Sequence, residues 1–226
     1  MSSDKAGTAK YSCYFLIHNL IIFLMNIKTY KGDLPPRLNL GNEISIDCEA
    51  MGLEPKRDSL TLCQISTGKQ DCHIIQFDRK NYKAKNLVRV LENPSVLKIF
   101  HYARFDVAVL NHFLKANIKN IYCTKIASKI ARTYTDKHGL KDLVKEIVGV
   151  DMSKQMQSSD WGAEKLSDKQ LKYAASDCVY LHQIRTELNK MLVRENRMNL
   201  LTKCLKFINT RVELDLADYK NDIFSH

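Results

Sequence analysis

The chain reads as one α/β domain in which sheet-forming runs come first and helices dominate afterwards. Three observations predict this. Short alternating or apolar runs separated by turn residues fill the first third. From Ala84 the apolar period lengthens to that of a helix. And 226 residues with 45% hydrophobic content, no repeat and no low-complexity linker suit a single sizeable core.

Each element follows in order. Asn26 to Tyr30 is a charged, strand-like segment, and Gly32-Asp33-Leu34-Pro35-Pro36 is a turn by its glycine and prolines. Glu43 to Asp47 alternates into a strand, Ile44 and Ile46 pointing one way and Asp47 the other. Leu60 to Ser66 and Cys72 to Phe77 are further strands around the turn Thr67 to Asp71, which gives an antiparallel meander. Leu87, Val88 and Leu91 mark a helix face ended by Asn93-Pro94. Val96 to Phe100 is a short apolar strand, Arg104 to Leu114 a helix, and Ile121-Tyr122-Cys123 the last strand. Thr124 is expected to N-cap a helix running to about Arg132. Gly139 to Val148 forms another. After the polar stretch Ser153 to Trp161, Ser167-Asp168-Lys169-Gln170 has the form of a capping box opening a long helix. Helical pattern continues to about Lys206, and Phe207 to His226 reads as a tail.

A net charge of +10 favours a polyanionic partner such as nucleic acid, although the excess is diffuse and no polybasic tail exists. The seven cysteines form no Cys-x-x-Cys pair and lie within apolar runs, which fits reduced core thiols in a cytoplasmic protein and gives zinc no support. Tyr14 to Ile27 is apolar but interrupted by His18 and Asn19, too short to span a bilayer. A signal anchor, a docked helix and a translated upstream extension compete for residues 1–24. The extension is favoured, with the domain starting at Met25, because normal globular patterning begins directly after it.

Four acids in three clusters carry the chemistry: Asp47 and Glu49, Asp106, and Asp177. Each lies in an apolar stretch, where an unpaired carboxylate is costly to desolvate. Asp47 and Glu49 are two apart on a strand and leave the same face, so they repel unless a cation sits between them. Asp106 falls in the first turn of a helix that follows a strand. Tyr173 and Asp177, at i and i+4, share one helical face. An all-carboxylate shell suits two divalent cations, Mg²⁺ or Mn²⁺, and two-metal phosphodiester hydrolysis in which Tyr173 orients the attacking water or takes its proton. His101 and Arg104, beside the second cluster, suit phosphate or base contacts as well as structural ones.

Asp-x-Glu, then Asp, then Tyr-x-x-x-Asp resembles the signature of the DEDD superfamily of 3′–5′ exonucleases, in its tyrosine-bearing subclass; Lys172 occupies the position that holds a histidine in the other subclass. Ser158-Ser159-Asp160-Trp161, Leu166-Ser167 and Gln170 to Asp177 resemble ribonuclease D. Within that group the chain resembles the short nano-RNase C family, through Lys98 to Asp106, Cys123 to Lys129, Arg132 to Lys141 and Asp222 to His226. The resemblance, running from about Met25 to the end, implies a ribonuclease H-like fold with a mixed sheet of five or six strands. It implies hydrolysis of very short RNAs, chiefly dinucleotides, by a homo-octamer with no membrane association. It also assigns Leu53 as a wedge between bases and adds Met51, Gln155 and Gln157 to His101 and Arg104 as substrate contacts. The family's Thr-Glu-Thr motif is Cys48-Glu49-Ala50 here, which keeps the ligand and loses the threonine contacts. Two other functions stay open: a ribonuclease D-like exonuclease on longer RNA or DNA ends, and an inactive nucleic-acid-binding module.

Overall fold

Six short strands form one mixed sheet in the computed structural model, which describes residues 25–152, 159–219, 221 and 223–225. The strands are β1 (Asn26–Lys31), β2 (Glu43–Ala50), β3 (Leu60–Ser66), β4 (Asp71–Gln76), β5 (Leu97–Phe100) and β6 (Ile121–Cys123), in the spatial order β1-β4-β3-β2-β5-β6. β2, β3 and β4 form the expected antiparallel meander, and β5 and β6 add in parallel beside β2. β1 pairs in parallel with β4, so β3 alone runs against the other strands. The α/β architecture with a six-stranded mixed sheet is the one expected from the sequence.

Strand alternation distributes the core over two faces. On β2, Ile44, Ile46 and Cys48 join Cys63 and Ile65 of β3 in one core cluster. Helices α1 (Lys85–Glu92), α2 (Ala103–Leu114) and α8 (Ile208–Leu216) add Leu87, Leu91, Val107, Leu110, Ile208 and Val212 to that cluster. On the other face Leu62, Cys72 and Ile74 pack against Ala174, Ala175 and Cys178 of α5 (Asp168–Val179). Ile99 and Tyr122 meet α3 (Thr124–Ala131) and α6 (Leu181–Arg194) through Ala127, Leu181, Ile184 and Leu188. The described cysteines are all free, five of them buried, as small apolar core residues are.

Four details depart from the sequence reading. Thr124 is the first residue of α3 rather than its cap; its hydroxyl donates to the Phe100 carbonyl at 3.1 Å, which ties α3 to β5. The segment read as a helix from Gly139 is one α-turn, α4 (Leu140–Leu143), widened into a π-turn over Val144–Val148. The long C-terminal helix is broken at Tyr180 and at Glu195–Arg197 into α5, α6 and α7 (Met198–Lys206). The tail contains α8, whose Ile208 and Val212, four apart, are buried in the first core cluster. Residues 1–24, expected to be an upstream extension, lie outside the described residues. Among the described residues no helix is long and apolar enough to cross a membrane.

Candidate active site

The first acidic motif lies at the C-terminal end of β2, a strand buried between two helical layers. Alternation sends Asp47 and Glu49 toward α5, opposite to Ile46 and Cys48. The pairing with β3 slips between Glu49 and Ala50, so a bulge falls at the motif's last carboxylate. The capping box expected at Ser167 is present, with Gln170 N–H donating to the Ser167 hydroxyl, and it sets the phase of α5. Gln170 also donates to the Asp160 carbonyl, holding buried Trp161 beside Tyr173 with ring centres 6.0 Å apart. On this helix Asp177 comes over the strand. Ligand oxygens of Asp47, Glu49 and Asp177 all lie within 4.8 Å of one another.

Asp106 arrives from the opposite layer, in the first turn of α2, and is 2% exposed. The turn into that helix passes through Tyr102 at φ 66°, left-handed backbone that a non-glycine residue adopts only when its surroundings hold it there. Lys125 lies 4.4 Å over the Tyr102 ring. The Asp106 carboxyl accepts hydrogen bonds from the Cys48 backbone N–H and thiol, and it repels Asp47. Asp47 therefore links the two sides: it belongs to the trio with Glu49 and Asp177 and is the acid that raises Asp106, which also acts on Glu49.

Burial and mutual repulsion set the electrostatics. Burial raises Asp47 to about 7. Glu49 is raised to about 10, by burial first and then by Asp47, Asp177 and Asp106. Asp106 and Asp177 are pushed well above the usual carboxylate range by burial and by Asp47. The Tyr173 phenol also rises, through burial and then Asp177, Glu49 and Asp47. No lysine, arginine or histidine among the described residues offsets these four acids. Four convergent, cation-poor carboxylates with no imidazole or thiolate in the trio form a donor set suited to a hard divalent cation.

The remaining candidate residues are placed differently. Leu53 is 83% exposed, and Met51 is also exposed, packing beside Gly162. Leu53 shares a groove of about 280 Å³ with Tyr102, Arg104 and Phe105. Arg104 is held by both oxygens of Asp215 on α8, at 2.5 and 2.6 Å. His101 is neutral: burial, then Lys125, lowers it to about 3. Because the Thr124 hydroxyl donates to Phe100, it accepts from His101 Nδ1 at 2.9 Å. Gln155 and Gln157 lie outside the described residues. Sequence reasoning missed Asp215, whose four-residue spacing from Arg211 on α8 was a signal, and Gln64, which only the strand register brings beside Asp47.

A family model described as 3′–5′ exonuclease matches residues 22–193. The chain belongs to the 3′–5′ exonuclease family. Among solved structures, this exonuclease fold is similar to NrnC of Brucella melitensis: 47% identity, TM-score 0.86, covering 89% of this chain and all of that one. That protein has also been solved with bound Mg²⁺ and bound to pGG. Ribonuclease D of Gluconacetobacter diazotrophicus is 27% identical over 166 residues, 74% of this chain and 42% of that protein. Escherichia coli RNase D, at 23% identity and TM-score 0.66 over 76% of this chain and 45% of that one, shares the fold. The chain spans less than half the length of the ribonuclease D relatives it matches.

Proposed function

We propose that this chain is a 3′–5′ exoribonuclease that hydrolyses very short RNAs, chiefly dinucleotides, to nucleoside 5′-monophosphates. The observation that carries the reading is the cation-poor trio Asp47, Glu49 and Asp177, with Asp106 adjoining it, in a chain 46% identical to a protein solved with pGG. Asp47, Glu49 and Asp177 would hold one divalent cation, Mg²⁺ or Mn²⁺, and Asp47 with Asp106 would hold a second. Bound there, such ions would supply Lewis-acid activation of water near neutral pH and charge stabilisation at the departing 3′ oxygen. Tyr173, whose phenol keeps its proton among the carboxylates, orients the attacking water. That role, one helical turn before Asp177, supports the tyrosine-bearing subclass.

Exposed Leu53 shares a groove with Arg104 and exposed Tyr102, with exposed Met51 two residues before it, and this apolar surface supports a wedge between two bases. Arg104, held by Asp215, lines the groove, and His101, tied to Thr124, adjoins it in sequence through Tyr102. The octameric state and cytoplasmic location extend the same reading, the latter supported by buried free thiols.

A substrate-length series tests it. Turnover of a 5′-phosphorylated dinucleotide is compared with that of longer RNA and DNA strands, in EDTA and with each metal. The expected result is metal-dependent cleavage fastest on the dinucleotide. Equal or faster cleavage of the long strand would assign the ribonuclease D-like activity instead. No cleavage of any strand, with Asp106→Ala binding as well as wild type, would assign an inactive binding module.

A further inference from the structure

We propose that Gln64 is a positioning residue for the first acidic motif: when a divalent cation binds, its carboxamide, unpartnered among the described residues, turns to donate to the Asp47 carboxylate and fixes its aim. The inference rests on the two-cation reading of the site.

Gln64 lies on β3 directly opposite Asp47 in the antiparallel register. Residues so paired project from the same face, with Cβ atoms about 5 Å apart, so a glutamine side chain is long enough to reach its neighbour's carboxylate. The same face carries Leu62, which packs on α5, the helix that brings Asp177. Gln64 is fully buried, yet neither its Nε2 nor its Oε1 has a hydrogen-bond partner among the described residues. A buried amide with both ends unsatisfied destabilises a fold, and an apolar side chain of the same volume fills such a position without that penalty. Structure alone therefore gives no reason for glutamine here.

Asp47 supplies the reason. Among the described residues nothing donates to its carboxylate, although Asp106 nearby receives the Cys48 N–H and thiol. An ionised ligand carboxylate turns one oxygen to the cation and needs a donor on the other to fix its angle. The Gln64 amide is neutral, so it provides that donor without a positive charge that would compete with the ion.

The test uses the full chain as wild type, Gln64→Met, Gln64→Leu and Asp177→Asn. Thermal melts in EDTA and across a Mn²⁺ titration give the Mn²⁺ concentration for half-maximal stabilisation, measured without substrate. In EDTA both Gln64 variants are expected to melt at or above the wild-type temperature. Their half-maximal Mn²⁺ concentration is expected to rise about tenfold or more. Nuclease activity should fall at low Mn²⁺ and recover at saturation. An unchanged half-point would overturn the assignment. Loss of the fold in both variants would also overturn it, because it would make the amide structural. If wild type gains no stability from Mn²⁺ while Asp177→Asn behaves identically, the two-cation reading itself fails.

Discussion

Replacing Asp47 by asparagine should stabilise the metal-free protein while abolishing its activity, and the size of the effect follows from the site. Burial raises the Asp47 carboxyl from 3.8 to about 7. The folded state then holds a proton that the unfolded chain has already released. Stability from this group is complete below pH 3.8 and is lost progressively as pH climbs through about 7. The full loss corresponds to ~4 kcal/mol. Glu49, raised to about 10, extends the decline to higher pH. Asparagine removes the Asp47 share, so in EDTA at pH 8.5 Asp47→Asn should exceed wild type by ~2–4 kcal/mol, or roughly 5–15 °C in Tm for a chain of this size. At pH 4 the two should coincide. Adding Mn²⁺ at pH 8.5 should reverse the order, since only wild type retains the ligand proposed to serve both cations, and exonuclease turnover should be undetectable in the variant. Paired melts at the two pH values, with and without Mn²⁺, measure all of this. A wild-type Tm that does not fall with pH in EDTA, or an Asp47→Asn protein no more stable than wild type at pH 8.5, would refute the account.

Other consequences are measurable on the same preparations. Tyr173→Phe should lower kcat ~10²-fold or more while leaving the Mn²⁺-induced rise in Tm intact, because the phenol is proposed to orient water rather than bind metal. Leu53→Ala should change stability by no more than about 0.5 kcal/mol, as expected for a side chain 83% exposed. Its effect should appear in dinucleotide KM, raised roughly tenfold. Ile208→Ala, 4% exposed in the core under α8, should cost ~2–4 kcal/mol and lower Tm without changing the metal half-point. Asp215→Asn should weaken the hold on Arg104 and Arg211 and raise KM more than it lowers Tm, because the Arg104 side chain is 41% exposed and such pairs add only about 1 kcal/mol to stability.

What the sequence disclosed and what it hid divide along physical lines. Periods of two and nearly four are local, so β3 and β6 could be placed to the residue and the capping box at Ser167 could be read directly. The carboxylates announced themselves because charge inside apolar runs requires compensation, and two-residue and four-residue spacings state which pairs share a face. Long-range relations left no such mark. The parallel pairing of β1 with β4 joins segments 45 residues apart, Asn26 with Asp71, through backbone groups common to every residue. The tail was misread because polar residues dominate its composition, although Ile208 and Val212 already had helical spacing.

The arrangement of the four acids shows most clearly what three dimensions add to the motif. Sequence order presents them as equivalent members of one cage, but the fold separates them. Asp47, Glu49 and Asp177 converge from β2 and α5 on one face of the sheet, whereas Asp106 comes from α2 on the other, satisfied in part by Cys48. Residues at the end of β2 link the two sides: Asp106 acts on both Asp47 and Glu49, and Asp47 is the acid that in turn raises Asp106. The position of Asp47 costs the metal-free fold stability, and its one cross-strand neighbour with an unspent donor is Gln64. Destabilisation of the empty site and capture of a cation are on this view one property, since the energy that burial stores in the carboxylates is released when a divalent ion replaces their protons.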